Sequence, residues 1–88
     1  MNDDVQSVVV GNEFDDTLRD SIQIVLDRIG AVCVDKSWGV GGSQEYEKFV
    51  FNVGGDQITI ESETYVGITV SGPKFLVEEI VRGLQVNN

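Results

Sequence analysis

The sequence predicts an α+β fold, a two-layer sandwich in which a mainly antiparallel sheet carries two helices on one face. Three observations lead to this prediction. Two stretches, one near each end of the chain, repeat apolar residues at helical spacing. Between them, several segments are rich in β-branched and aromatic residues, and some alternate apolar with polar residues, as half-buried strands do. The pair Gly54-Gly55 separates two of these segments by the length of a tight hairpin turn. The predicted order is β-α-β-β-β-β-α.

The length of the chain sets the number of domains. Its 88 residues, 41% of them hydrophobic, suffice for one modest core and are too apolar for a disordered acidic tail. We therefore expect residues 1–88 to form a single domain.

The first strand and the first helix are predicted over residues 5–10 and 13–29. Asn12 is the expected N-cap, and Gly30 is expected in the left-handed conformation after the last turn. The apolar helix face consists of Phe14, Leu18, Ile22, Val25, Leu26 and Ile29. A right-handed crossover through this helix would set the first strand parallel to the second, and the pattern leaves its place in the sheet open.

The second strand is predicted over residues 31–38, with Cys33 half-buried in it. Three glycines in residues 39–43 predict a flexible loop that becomes ordered when a partner binds. Residues 45–53 and 56–62 are then predicted to form a hairpin around Gly54-Gly55. The register that follows pairs Phe51 with Ile58 and Phe49 with Ile60 on the buried face, and Lys48 with Glu61 on the outer face.

The last strand and the second helix complete the prediction. A three-residue turn at 62–64 leads into a strand over 65–71, with Val66, Ile68 and Val70 pointing inward. Pro73 is expected at the first helical position, and residues 86–88 are expected to fray. The buried stripe of this helix is predicted to be Leu76, Val77, Ile80, Val81 and Leu84.

The charge of the chain restricts its partners. Fifteen acidic and six basic residues give a net charge of −9, which disfavours direct nucleic acid binding and anionic membranes and favours a basic protein surface. The alternative interpretation is that the charge only keeps the protein soluble. An acidic N-terminus at residues 1–4 is unlike a signal peptide, and one cysteine suits a reducing compartment, so we expect a cytoplasmic protein.

The residues that usually perform chemistry are scarce. The chain has no histidine, and Cys33 has valines rather than a cation beside it in sequence. The glycine segment 39–43 lacks the Lys-Ser/Thr pair of a phosphate-binding loop. The remaining candidates are carboxylates such as Asp35, Glu61 and Glu63, which would suit acid–base catalysis or a hard cation, but adjacency by chance is expected among fifteen acids. We predict no catalytic residues, no cofactor and no metal site.

An aromatic surface bordered by acids is the predicted binding site. Tyrosine and tryptophan give large contact areas at low entropic cost. The predicted partner-binding residues are Trp38, Tyr46, Val50, Glu61, Glu63 and Tyr65. The favoured function is a small acidic protein-binding module, such as an inhibitor or immunity-type protein that neutralises a basic partner. The alternative is a structural or regulatory subunit without catalytic activity that forms a homodimer through its sheet. A third interpretation is a merely solvated sheet face.

Overall fold

The sheet and helices follow one another in the predicted order. A computed structural model describes residues 5–42 and 44–86. The predictions that concern residues 1–4, Ser43 and residues 87–88 lie outside this part. The elements are β1 (Val5–Gly11), α1 (Asp16–Arg28), β2 (Val32–Gly41), β3 (Gln44–Val53), β4 (Asp56–Glu63), β5 (Gly67–Pro73) and α2 (Lys74–Val86). The α+β sandwich is thereby confirmed.

Within the described residues, the five strands form one sheet in the order β1-β5-β4-β3-β2, and every neighbouring pair is antiparallel. Strand β1 pairs with β5 and lies at the opposite edge from β2. Helix α1 therefore carries the chain across the whole sheet, which settles the position of the first strand that the sequence left open.

Helix α1 begins later than predicted, because Asp15 rather than Asn12 is its N-cap. The Asp15 side chain accepts a hydrogen bond from the backbone N–H of Leu18 at 3.0 Å. The Asn12 side chain instead closes a turn by accepting from the N–H of Phe14 at 2.8 Å. Phe14 consequently precedes the helix and is 76% exposed, so its predicted place in the buried stripe is wrong.

The hairpin at Gly54-Gly55 has the predicted register. Both glycines have positive φ, +57° and +96°, as a type I′ turn requires. The paired residues include Phe51 with Ile58, Phe49 with Ile60 and Lys48 with Glu61.

The predicted glycine loop is mostly strand. Gly39 pairs with Tyr46 and Gly41 with Gln44, so β2 and β3 continue to within two residues of each other. The prediction of a flexible loop is therefore wrong for residues 39–41, which belong to β2. Glycine has no side chain to favour a strand, but the regular partner strand β3 supplies the pairing.

The turn between β4 and β5 has the predicted three residues but lies two positions later, at 64–66. Strand β4 extends to Glu63 because that residue pairs with both Tyr46 and Gly67. Tyr65 is thus a turn residue with a φ of +73°, and Val66 is exposed rather than inward. The prediction that Tyr65 and Val66 lie in the strand is wrong.

The core lies between the helices and the inner sheet face. Its buried residues are Ile22, Val25, Leu26, Ile58, Ile60, Ile68, Val70, Leu76, Val77, Ile80 and Leu84. The predicted stripe of α2 is confirmed, with Val81 partly buried. Each helix has 13 residues, and neither of these described helices is long and apolar enough to span a bilayer.

Strand β2 lies beyond the helix layer. Two helices, each about 10 Å wide, cover roughly four strands that are spaced about 4.8 Å apart. The sheet has five strands, so the edge strand β2 is left uncovered. Cys33 is exposed for this reason, and the prediction that it is half-buried is wrong.

Candidate protein-binding surface

Four of the six predicted site residues do lie together. The register places Tyr46 opposite Glu63. Glu61 lies two residues from Glu63 in β4, and Val50 lies four residues from Tyr46 in β3, all on the same outer face. All four are partly buried although no described helix covers this face. These four side chains are therefore less accessible than the sequence suggested.

Tyr46 is already engaged within the sheet. Its hydroxyl donates a hydrogen bond to Glu61 Oε2 at 2.6 Å. That bond, followed by desolvation and the charges of Glu61 and Glu63, raises the pKa of Tyr46 to about 12. The hydroxyl is thus bonded to the neighbouring strand β4, where it stabilises the sheet, and is not free to bind a partner protein.

Trp38 and Tyr65 do not belong to this face. Trp38 lies opposite Glu47, on the side of the sheet that carries the helices, and is 76% exposed. Tyr65 stands at the tip of the β4–β5 turn and is 78% exposed. The expectation that the aromatic residues form one surface is wrong, because β2 turns Trp38 and the neighbouring β3 turns Tyr46 toward opposite faces of the sheet.

The structure reveals an acidic cleft that the sequence analysis missed. It lies where the N-terminal end of α1 approaches the start of β3, and its volume is about 370 Å³. We define this acidic cleft by its carboxylate residues, Glu13, Asp16, Glu45 and Glu47, which surround Arg19.

Arg19 fixes the floor of the acidic cleft. Its Nε and Nη2 donate to the carbonyl oxygen of Glu13 at 3.1 and 2.9 Å, and Nη2 also donates to Ser62 Oγ at 2.8 Å. Nη1 lies 3.6 Å from Glu47 Oε1. One side chain thereby connects the segment before α1 with β3 and β4.

The β4–β5 turn forms hydrogen bonds with two residues that line the acidic cleft, Glu13 and Glu45. The backbone N–H of Tyr65 donates to Glu13 Oε2 at 3.0 Å. The N–H of Glu45 donates to Thr64 Oγ1 at 2.9 Å, and the N–H of Thr64 donates to the Glu45 carbonyl at 3.0 Å. These bonds fix the carboxylate of Glu13 and the backbone of Glu45.

Exposed apolar side chains border the acidic cleft. Phe14 lines it, and Trp38 and Val40 lie directly across the strand from Glu47 and Glu45. Four carboxylates facing one guanidinium leave the cleft with a net negative charge. Carboxylates beside aromatic rings suit a lysine or arginine side chain, which pairs with the former and stacks on the latter. Among the described residues, no group of three or more side chains is arranged to hold a metal ion.

The sequence did contain a signal for this cleft. Glu45 and Glu47 have the same phase in β3 as the inward-facing Phe49 and Phe51, so the apolar face of this strand becomes acidic at its start. The prediction that Phe14 belongs to the helix obscures this signal.

Comparison of the chain with models of known protein families, with curated proteins and with solved structures finds no match in any of the three.

Proposed function

We propose that this protein is a non-catalytic, acidic protein-binding module whose acidic cleft engages a basic partner protein, in the manner of an inhibitor or immunity-type protein. The observation that carries the proposal is the concentration of four carboxylates next to exposed aromatic side chains at one end of the sheet. We place its action in the cytoplasm, where the exposed thiol of Cys33 would stay reduced.

The net charge supports the choice of partner. With −9 on 88 residues, the field of the whole molecule attracts a basic surface and repels phosphate-rich ones. Such complementarity raises association rates and fixes orientation more than it adds affinity. The attracted partner would dock at the acidic cleft.

The exposed aromatic side chains beside the acidic cleft supply apolar contact area, which charge alone does not. Trp38 and Phe14 are each 76% exposed, so each has a large apolar area to bury against a partner. Buried aromatic anchors dominate the energy of most interfaces and set the dissociation rate. An arginine seated in the acidic cleft would contact carboxylates at its head and an aromatic ring along its side.

Affinity capture from a lysate tests the proposal. We expect basic proteins to be retained at low salt and released near ~0.5 M salt, where the Debye length falls to about 4 Å. Recovery of no basic protein under either condition would contradict the proposal.

A matched pair of variants locates the binding site. In Asp16→Asn/Glu45→Gln, the two substituted side chains make no hydrogen bond to other described residues, so the fold should persist. We expect affinity for the captured protein to fall about tenfold, since each screened charge contributes up to ~1 kcal/mol. The control Glu78→Gln/Glu79→Gln removes the same charge from exposed positions of α2 and should change affinity less than about twofold. Equal losses in both variants would show that net charge, and not the acidic cleft, determines binding.

A further inference from the structure

Strand β2 is an open edge of the sheet. It has ten residues, its described neighbour is β3 on one side, and the helices do not cover it. Four of its large apolar side chains are exposed: Val32, Val34, Trp38 and Val40. Long exposed edges with apolar side chains readily accept another strand.

The backbone hydrogen bonds show which groups face this open edge. Both the N–H and the carbonyl of Glu45 bond to Thr64, on the β4 side of β3. The backbone N–H and C=O groups of alternate residues in a strand point to opposite neighbouring strands. Those of Glu47 and Phe49 therefore also point toward β4. Their β2 partners, Lys36 and Trp38, then direct their backbone groups away from β3, as does Val40 opposite Glu45. The open edge therefore offers unpaired donors and acceptors at residues 36, 38 and 40.

We propose that this edge pairs, antiparallel, with β2 of a second copy of the chain around a two-fold axis at Ser37. The two five-stranded sheets would merge into one sheet of ten strands. This proposal does not depend on the acidic cleft, and it uses the strand edge rather than the outer face of the sheet.

Charge selects a second copy as the occupant of the edge. Strand β2 carries one acid, Asp35, and one base, Lys36, so it is a neutral strip on a strongly acidic molecule. Two copies repel each other least where these strips meet. A neutral edge, in contrast, offers a basic partner little electrostatic attraction.

The register follows from symmetry. A two-fold axis normal to the sheet keeps facing side chains on one face, and pairing requires each residue with outward backbone groups to face another such residue. An axis at Ser37 meets this requirement. It places Lys36 of each copy opposite Trp38 of the other copy, so the dimer contains two such pairs. Each ammonium would then lie within reach of an indole, a favourable cation–π pair. An axis at Lys36 would instead put two ammonium groups opposite each other, which is unfavourable.

Regularity also favours this stretch. The β2–β3 register is irregular between Cys33 and Asp35 but unbroken from Asp35 to Gly41. The seven regular residues lie on both sides of Ser37. At the other edge, β1 has an irregularity between Val9 and Gly11, near its end.

Sedimentation of the full chain tests the dimer. We expect a concentration-dependent dimer that strengthens with added salt, because screening reduces repulsion between two acidic copies. The proposed basic partner would instead bind more weakly with salt, so the two proposals fail independently. A monomer up to millimolar concentration at every salt concentration would overturn the inference.

Backbone and side-chain variants at one position separate the contributions. Lys36→Pro removes an edge donor that β3 does not use, and we expect the dimer dissociation constant to rise at least about tenfold. Lys36→Ala removes the cation alone and should raise it about threefold. Circular dichroism controls for folding. A folded Lys36→Pro variant that dimerises as well as the unchanged chain would overturn the inference.

Cross-linking tests the register and does not depend on proline being tolerated. In a Cys33→Ser background, Ser37→Cys should form a disulfide-linked dimer on mild oxidation, since the two sulfur atoms would face each other. The control Gly39→Cys should not, because the axis separates its two copies by about four residues of strand, ~13 Å. Cross-linking of the control but not of Ser37→Cys would overturn the proposed register.

Discussion

Replacing Arg19 by methionine would remove the connection between α1, β3 and β4 while keeping most of the apolar side-chain volume. The bond to Ser62 Oγ, 2.8 Å long, has a charged donor and a hydroxyl acceptor whose residue is only 8% exposed. Such a bond contributes about 2 kcal/mol, and its loss leaves a buried hydroxyl without that partner.

The other contacts of Arg19 contribute less. Water can replace it at the Glu13 carbonyl, and the ion pair with Glu47 joins side chains that are 39% and 45% exposed, so solvent screens it. We assign about 1 kcal/mol to these contacts together. The expected total is about 3 kcal/mol, or about 15 °C in Tm for a domain of this size.

Urea unfolding followed by far-ultraviolet circular dichroism measures this loss. Arg28→Met is the control, since Arg28 is an exposed arginine in the last turn of the same helix and should cost about 0.5 kcal/mol. Ser62→Ala in both backgrounds completes a double-mutant cycle, for which we expect a coupling of about 1–2 kcal/mol between Arg19 and Ser62. A loss no larger than the control's, with additive single effects, would refute the assigned role.

Two further predictions concern the sheet. The pKa of Tyr46 is raised from 10.0 to about 12 in the folded chain, so the protonated hydroxyl stabilises the fold below pH 10, and this contribution is lost as the pH rises to 12. Tyr46→Phe should therefore show a smaller drop in urea midpoint over that interval than the unchanged chain; equal drops would contradict the cause. Gly67→Ala should cost about 3 kcal/mol in the same assay, because Gly67 has a φ of +111° and a Cβ there would overlap the carbonyl oxygen of Gly11. Gly30→Ala, with a φ of +78° and open space around it, should cost only about 1 kcal/mol.

The elements that the sequence predicted well are those with a strict period. The stripe of α2 and the register around Gly54-Gly55 are confirmed because a one-residue error would turn apolar side chains to solvent. Where an element lacks such a constraint, its predicted limits differ from the observed ones. Asp15 replaced Asn12 as the N-cap because both have a side chain that can cap, and only the structure shows which one bonds.

Relations between elements explain most of what sequence reasoning missed. Cys33 lies in an apolar run typical of a buried strand, but its exposure depends on how many strands the two helices cover. Trp38 and Tyr46 are close along the hairpin and lie on opposite faces. The acidic cleft joins residues from α1, β3 and the β4–β5 turn, and no local pattern brings these together.

The crossing of α1 from one sheet edge to the other has a consequence for how the chain folds. Strands β2 to β5 are consecutive and can pair through short turns at small loop-closure cost. Strand β1 must pair with β5, about 60 residues further along the chain, so its ladder closes the largest loop in the described fold. We expect the meander of four strands to form early, with β1 joining last. Until it joins, β5 presents an unpaired edge, and a β1 strand from another chain would fit there as well as the chain's own. Crowding during synthesis therefore favours exchange of β1 between chains, at the edge farthest from β2.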